Sequence, residues 1–208
     1  MADSSFLVVP GTTSSKLTMP VKPYDELKGK YAVADYVKSH AKLEPSNVDN
    51  LITEPENFQY STAVWLYEHL RQMCRDIGFL LAELNEECNP KSCPEMRVTD
   101  QFHFLCAAHV GTKNCSAIDY STHTLEGVVS LLNNAQAFPN CTDIENKSIP
   151  KFRTILRRLY RILAHAHYHH KSIFTTFESK SFLTLRVHKF ALKYSLIAED
   201  QLIIPGFR

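Results

Sequence analysis

From Ala63 to Glu87 the apolar side chains return every three or four positions, at Trp65, Leu66, Leu70, Met73, Cys74, Ile77, Leu80, Leu81 and Leu84. That interval follows the helical turn and predicts a long amphipathic helix, with Ser61 or Thr62 as N-cap, running straight into Cys88. Three more long helices follow the same rhythm. Residues 116–134 form one, ending near Asn133 and Asn134. The longest opens at Ser148, with Pro150 just inside it, and runs to about Phe177, and residues 181–196 supply the last. AVADYVKSH after Tyr31 reads as a short helix, and the Pro- and Asn-rich stretch LEPSNVDNLITEPENFQYST as a surface connection. VTDQFHFLCAA nearly alternates its aromatics, which suits a short strand and a small hairpin, although a helix of this length fits as well. Long helices with one apolar stripe each, joined by loops, make an all-α bundle.

At 208 residues the chain suits one domain. Pro10, Pro20, Pro23 and scattered Ser and Thr mark residues 1–29 as a flexible N-terminal arm, which leaves residues 30–208 as the domain. No run approaches the 18 or so apolar residues of a transmembrane helix, and the first residues lack the basic start and long apolar run of a secretory signal. The expected compartment is therefore the cytoplasm. There the six cysteines are expected as metal ligands or buried thiols in preference to disulfides. Charge is unevenly spread: residues 1–100 hold 15 acids against 10 bases, whereas Lys151 to Lys193 hold ten bases and a single acid, Glu178. A basic stripe of this kind attracts phosphorylated peptide, anionic lipid or nucleic acid, and charge alone does not choose among them.

Candidate chemistry concentrates in two short segments. Cys88 and Cys93, in CNPKSC, are answered some seventy residues later by His165, His167, His169 and His170, in HAHYHH. Two thiolates and two imidazoles fill the tetrahedral shell of one zinc ion and leave no position for water, so the site predicted is structural. On an ideal helix His165 and His169 lie about 40° apart and His165 and His170 about 140°. Geometry thus favours His169, whereas burial of an otherwise unpartnered imidazole favours His170. Cys74, Cys106, Cys115 and Cys141 show no comparable pairing and read as buried small hydrophobes. On the helix opening at Ser148, Phe152, Ile155, Leu156, Leu159, Ile162, Leu163 and Ala166 form the buried stripe. Arg157, Arg158 and Arg161 fall together on the opposite side, with no acid before Glu178 to pair with. They form either a solvated face or a cradle for phosphate, which guanidinium forks fit well. No G-x-S-x-G, P-loop, dinucleotide fingerprint or H-E-x-x-H is present, and residues 165–170 contain no carboxylate base, so an enzyme is not expected. No recognised nucleic-acid-binding module is present either.

The segments VWLYEHLRQMC (64–74), ECNPKSC (87–93), FLCAAH (104–109), AIDYSTHTLEG (117–127), RRLYRILAHAHYHH (157–170) and KFALKYSLIAEDQLIIP (189–205) resemble, in the same order, the Mob family, and within it the striatin-associated branch. The resemblance implies a Mob-type helical bundle without catalytic activity. One structural zinc would be held by Cys88, Cys93, His165 and His170, since the family's ligand histidines stand five apart. It also implies that Arg157, Arg158 and Arg161 bind a phosphothreonine peptide of an upstream kinase. The partners implied are striatin, protein phosphatase 2A in the same assembly and a germinal-centre (Ste20-like) kinase. Roles in kinase and phosphatase signalling and in vesicle traffic, and peripheral association with Golgi or other membranes, are implied on the same basis. One departure bears on a second reading. Family members that coactivate nuclear Dbf2-related kinases carry acids near and just before the tryptophan, but here Val64 precedes Trp65 and Tyr60 stands a turn earlier. That activity would need an acidic surface rebuilt from residues such as Glu68.

Overall fold

The computed structural model describes residues 21–207, so most of the expected arm lies outside the described residues. Its described end is packed, for Tyr24, in a 3₁₀ turn over Tyr24–Glu26, meets Tyr36 edge-on at 5.7 Å and Phe58 at 5.9 Å. Helices α1 (Ala32–Leu43), α2 (Val48–Leu51) and α3 (Thr62–Leu84) lead to an antiparallel hairpin of β1 (Arg97–Thr99) and β2 (Phe102–His103). Then come α4 (Ala117–Leu132), α5 (Ile149–His169), α6 (Lys171–Ser181) and α7 (Leu183–Lys193). The bundle is all-α apart from this hairpin, which pairs Arg97 with His103 and Thr99 with Phe102.

Helix α3 is the central element because it is apolar on more than one face. Every residue from Ala63 to Leu70 is buried, and α1, α4, α5, α6 and α7 all pack against it. Trp65 is wholly enclosed, with its indole N–H donating to the Ile52 carbonyl and Phe58 edge-on at 5.4 Å. Tyr67 donates its hydroxyl proton to the Leu132 carbonyl at 2.7 Å and so fixes the end of α4. The stripe of α5 from Phe152 to Ala166 faces this core with no member more than 2% exposed. At about 1.5–3 kcal/mol for each large apolar side chain removed from water, that stripe is the main force seating α5.

Helix ends are set by side chains. Ser61 is the N-cap residue of α3, but its hydroxyl donates to the distant Ile144 carbonyl and caps nothing. Ser116 caps α4, accepting from the Asp119 N–H at 3.2 Å while donating to the Asp119 carboxylate at 2.6 Å. Glu178, the one acid of the basic stretch, accepts from the Thr184 and Leu185 N–H groups at 2.8 and 3.0 Å and so caps α7. Burial pushes its pKa up, and those hydrogen bonds oppose the shift. Buried Arg186 of α7 pairs with Asp76 of α3, which joins the last helix to the central one.

The helix expected to run unbroken from Ser148 to Phe177 is corrected. It stops at His169, and His170 takes φ −132° and ψ 54° before α6 begins, so α3 at 23 residues outlasts α5 at 21. The His170 N–H still bonds to the Ala166 carbonyl at 2.9 Å, and its carbonyl accepts the Phe174 N–H at 2.9 Å. The chain thus turns at one residue while its hydrogen bonding continues. Among the described residues no helix is long and apolar enough to cross a membrane.

Candidate metal centre and basic face

The turn after α3 is built by its own polar side chains. The Asn89 Oδ1 accepts the N–H groups of Lys91 and Ser92 at 2.9 and 3.2 Å, and the Ser92 hydroxyl donates to the Glu87 carbonyl at 2.7 Å. The Cys88 N–H closes on Leu84 and the Cys93 N–H on Asn89, so both thiols come to the same side of one tight turn. The Cys93 carbonyl also accepts the Ala117 N–H at 3.0 Å, which fixes the start of α4 beside it.

Facing this turn is the break between α5 and α6. Cys88 Sγ lies 3.5 Å from His165 Nε2, and Cys93 Sγ lies 3.5 Å from His170 Nε2. All four donor atoms fall within 4.8 Å of one another and could hold a metal ion. Metal bonds of about 2.3 Å to sulfur and 2.0–2.1 Å to nitrogen put tetrahedral S···N edges near 3.5 Å, the separation seen twice here. His165 Nδ1 donates to the Arg97 carbonyl at 2.6 Å, which fixes the tautomer and leaves the Nε2 lone pair facing Cys88. The Glu87 carboxylate stands 3.6 Å from His170 Nδ1, near the imidazole but beyond hydrogen-bond distance. His169 is exposed, its ring stacked on that of His165 at 4.7 Å. The fold brings His170, and not His169, to the two thiols for a local reason: His170 is not in the helix.

Without a cation, Cys88 and His165 are held in their neutral forms. Burial, reinforced by Cys93 next to it, pushes the Cys88 thiol up to about 12, and burial pulls His165 down to about 4. A divalent ion reverses the balance at the sulfurs by displacing their protons.

Arg157, Arg158 and Arg161 of α5 do not form one uniform cluster. Arg157 and Arg158 are exposed, and neither makes an ion pair with another described residue. Arg161 is half-buried. Its guanidinium donates to the Tyr120 hydroxyl at 2.9 Å and lies 4.1 Å from the centre of the Phe104 ring, so a hydroxyl and an aromatic face stand where the sequence offered no acid. Arg157 instead joins Arg153, one turn earlier, along a cleft of about 430 Å³ walled by Leu192 and residues 195–199. The part of Arg153 was missed in the sequence, although its spacing of four from Arg157 was the available signal.

All six cysteines are free thiols. Of the four expected as buried small hydrophobes, Cys74 and Cys106 are buried, whereas Cys115 and Cys141 are half-exposed. Cys141 Sγ sits 3.3 Å from the Tyr67 hydroxyl. Cys106 and Cys115 depart further from expectation, because they converge with His109 and His123 in a second group whose donor atoms all lie within 4.8 Å.

The Mob1/phocein family model matches residues 40–205. MOB kinase activator-like 4 of Drosophila melanogaster is 42% identical over 209 residues, covering 99% of this chain and 93% of that protein. MOB-like protein phocein of Caenorhabditis elegans is 38% identical over 182 residues, covering 88% and 81% respectively. MOB kinase activator-like 3 of Drosophila melanogaster is more distant, at 26% over 161 residues.

Proposed function

This chain belongs to the Mob1/phocein family, and from that premise we propose that it is a non-catalytic adaptor of the striatin-interacting phosphatase and kinase assembly. Cys88, Cys93, His165 and His170 hold one structural zinc. Arg157, Arg158 and Arg161 read a phosphothreonine segment of a germinal-centre kinase. Striatin is the docking partner, protein phosphatase 2A belongs to the same assembly, and the setting is cytoplasmic, at Golgi or other membrane surfaces.

The observation that carries this reading is the seating of Arg161. Its guanidinium is held by Tyr120 and Phe104 one turn before His165, on the helix that the metal group fixes. An arginine already ordered loses less freedom on taking a phosphate, while the exposed Arg157 and Arg158 are free to close on it. Matched phosphothreonine and unmodified peptides titrated against the wild type and Arg158→Ala test the claim. The expected outcome is preference for the phosphopeptide, reduced about tenfold or more in the variant, in line with loss of a charge-assisted hydrogen bond. Equal affinities throughout would remove it.

Coactivation of a nuclear Dbf2-related kinase is the weaker reading. Glu68, the acid available near Trp65, is buried and faces Arg71 at 3.3 Å, so it offers no acidic surface to a basic kinase helix.

A further inference from the structure

We propose that Cys106, His109, Cys115 and His123 form a second metal site, which takes a zinc-class divalent cation and staples the loop after the hairpin to α4. The four residues come from one short stretch. Cys106 and Cys115 bracket a loop closed by a two-way backbone bridge, in which the Cys106 N–H donates to Lys113 O at 2.7 Å and the Lys113 N–H returns to Cys106 O at 3.1 Å. Gly111, at φ +75°, allows the chain to reverse inside it. His109 projects from the loop and His123 from the second turn of α4. Cys106 Sγ lies 3.6 Å from His123 Nδ1, Cys115 Sγ lies 3.0 Å from His109 Nε2 and 4.0 Å from His123 Nδ1, and the two imidazoles meet edge-on at 4.9 Å.

Hydrogen bonding alone accounts poorly for this convergence. A thiol offers one proton and a neutral imidazole one, yet Cys115 faces two imidazole nitrogens and His123 Nδ1 faces two sulfurs. A divalent cation engages all four at once. It displaces one proton from each thiol to solvent, and its charge is balanced by the two thiolates, with two neutral imidazoles completing the shell.

Loop energetics point the same way. Ala107, Ala108, Val110, Gly111, Thr112, Lys113 and Asn114 are all exposed. Ordering each residue costs about 1–2 kcal/mol of backbone entropy, and this segment buries almost nothing apolar to offset it. A metal supplies the missing stabilisation. Thiolate with imidazole favours zinc over calcium or magnesium, which take oxygen ligands.

The test is the metal content of the full chain purified without chelator, together with cysteine alkylation mapped by mass spectrometry before and after chelation. The proposal expects two zinc ions per chain in the wild type and one in Cys106→Ser/Cys115→Ser with its helical circular dichroism retained. Cys115, half-exposed, should alkylate in the native chain only after chelation. If the double variant does not fold, wild-type stoichiometry with the alkylation map decides. One zinc per chain with Cys115 freely alkylated, or two that persist in the double variant, overturns the proposal. One zinc that disappears in the double variant supports this site and removes the reading of Cys88, Cys93, His165 and His170, so the two failures are distinguishable.

Discussion

The two Cys2His2 groups offer a metal the same chemistry and differ in what they join. The first brings together residues 77 apart in sequence, and Cys88, His165 and His170 are buried. The second spans 17 residues between Cys106 and His123, and only Cys106 is buried. Loop-closure entropy separates the two by only about 1.3 kcal/mol. Burial therefore decides which one the fold depends on. Loss of metal from the first leaves thiol and imidazole groups inside the bundle, at about 1–3 kcal/mol for each unsatisfied polar group. At the second, water can reach three of the four ligands.

The contrast is broken most severely at the first group. Cys93→Ser or His170→Ala should lower stability by about 3 kcal/mol or more, a fall of roughly 10 °C in thermal midpoint. The end of α3 and the break between α5 and α6 should lose hydrogen-exchange protection together. An unchanged midpoint in a variant that has lost its metal would erase the distinction.

Acid provides a control away from both groups. His188 is buried between Tyr160 and Phe207, and desolvation pulls its pKa down to about 4 from the ordinary 6.5. The unfolded chain therefore binds a proton in this range that the folded chain does not, and stability falls as pH drops from about 6.5 towards 4. His188→Phe should flatten that slope at equal metal load, measured by denaturant unfolding at several pH values. An identical slope in the variant would assign the acid sensitivity elsewhere.

At the second group the effect should be local. Cys115→Ser is expected to cost about 1 kcal/mol or less, roughly 2–4 °C in midpoint, while exchange rises over residues 104–115. A loss as large as that of Cys93→Ser would make the two groups equivalent. His169→Ala sharpens the comparison from the other end, with a change within about 0.5 kcal/mol and no loss of metal. Loss of one metal ion in that variant would transfer the ligand role from His170 to His169.

Much of the bundle was legible in the sequence because its helices carry continuous apolar stripes. Those of α3, α4 and α7 end within a few residues of where the periodicity placed them. The break at His170 was not legible. No Gly or Pro marks it, and the apolar spacing runs on through Ile173, Phe174 and Phe177. The first Cys/His group was visible because each half is compact, as CNPKSC and HAHYHH. The second was hidden by its intervals of two, five and seven intervening residues, which a loop, a bridge and a helix start bring together. Its only local signal was Cys106-x2-His109 within FLCAAH. The engagement of Arg161 was out of reach for a related reason, since Phe104 comes from the loop after β2 and Tyr120 from α4.

X-ray absorption at the zinc edge of the native chain tests the proposed closed metal shell, on which the reading of this chain as a non-catalytic adaptor rests. The spectrum should show four-coordinate metal with sulfur at about 2.3 Å and nitrogen at about 2.0–2.1 Å, two of each, and no oxygen neighbour. A chain without zinc, or a zinc ion carrying a water-derived oxygen in its shell, would contradict it.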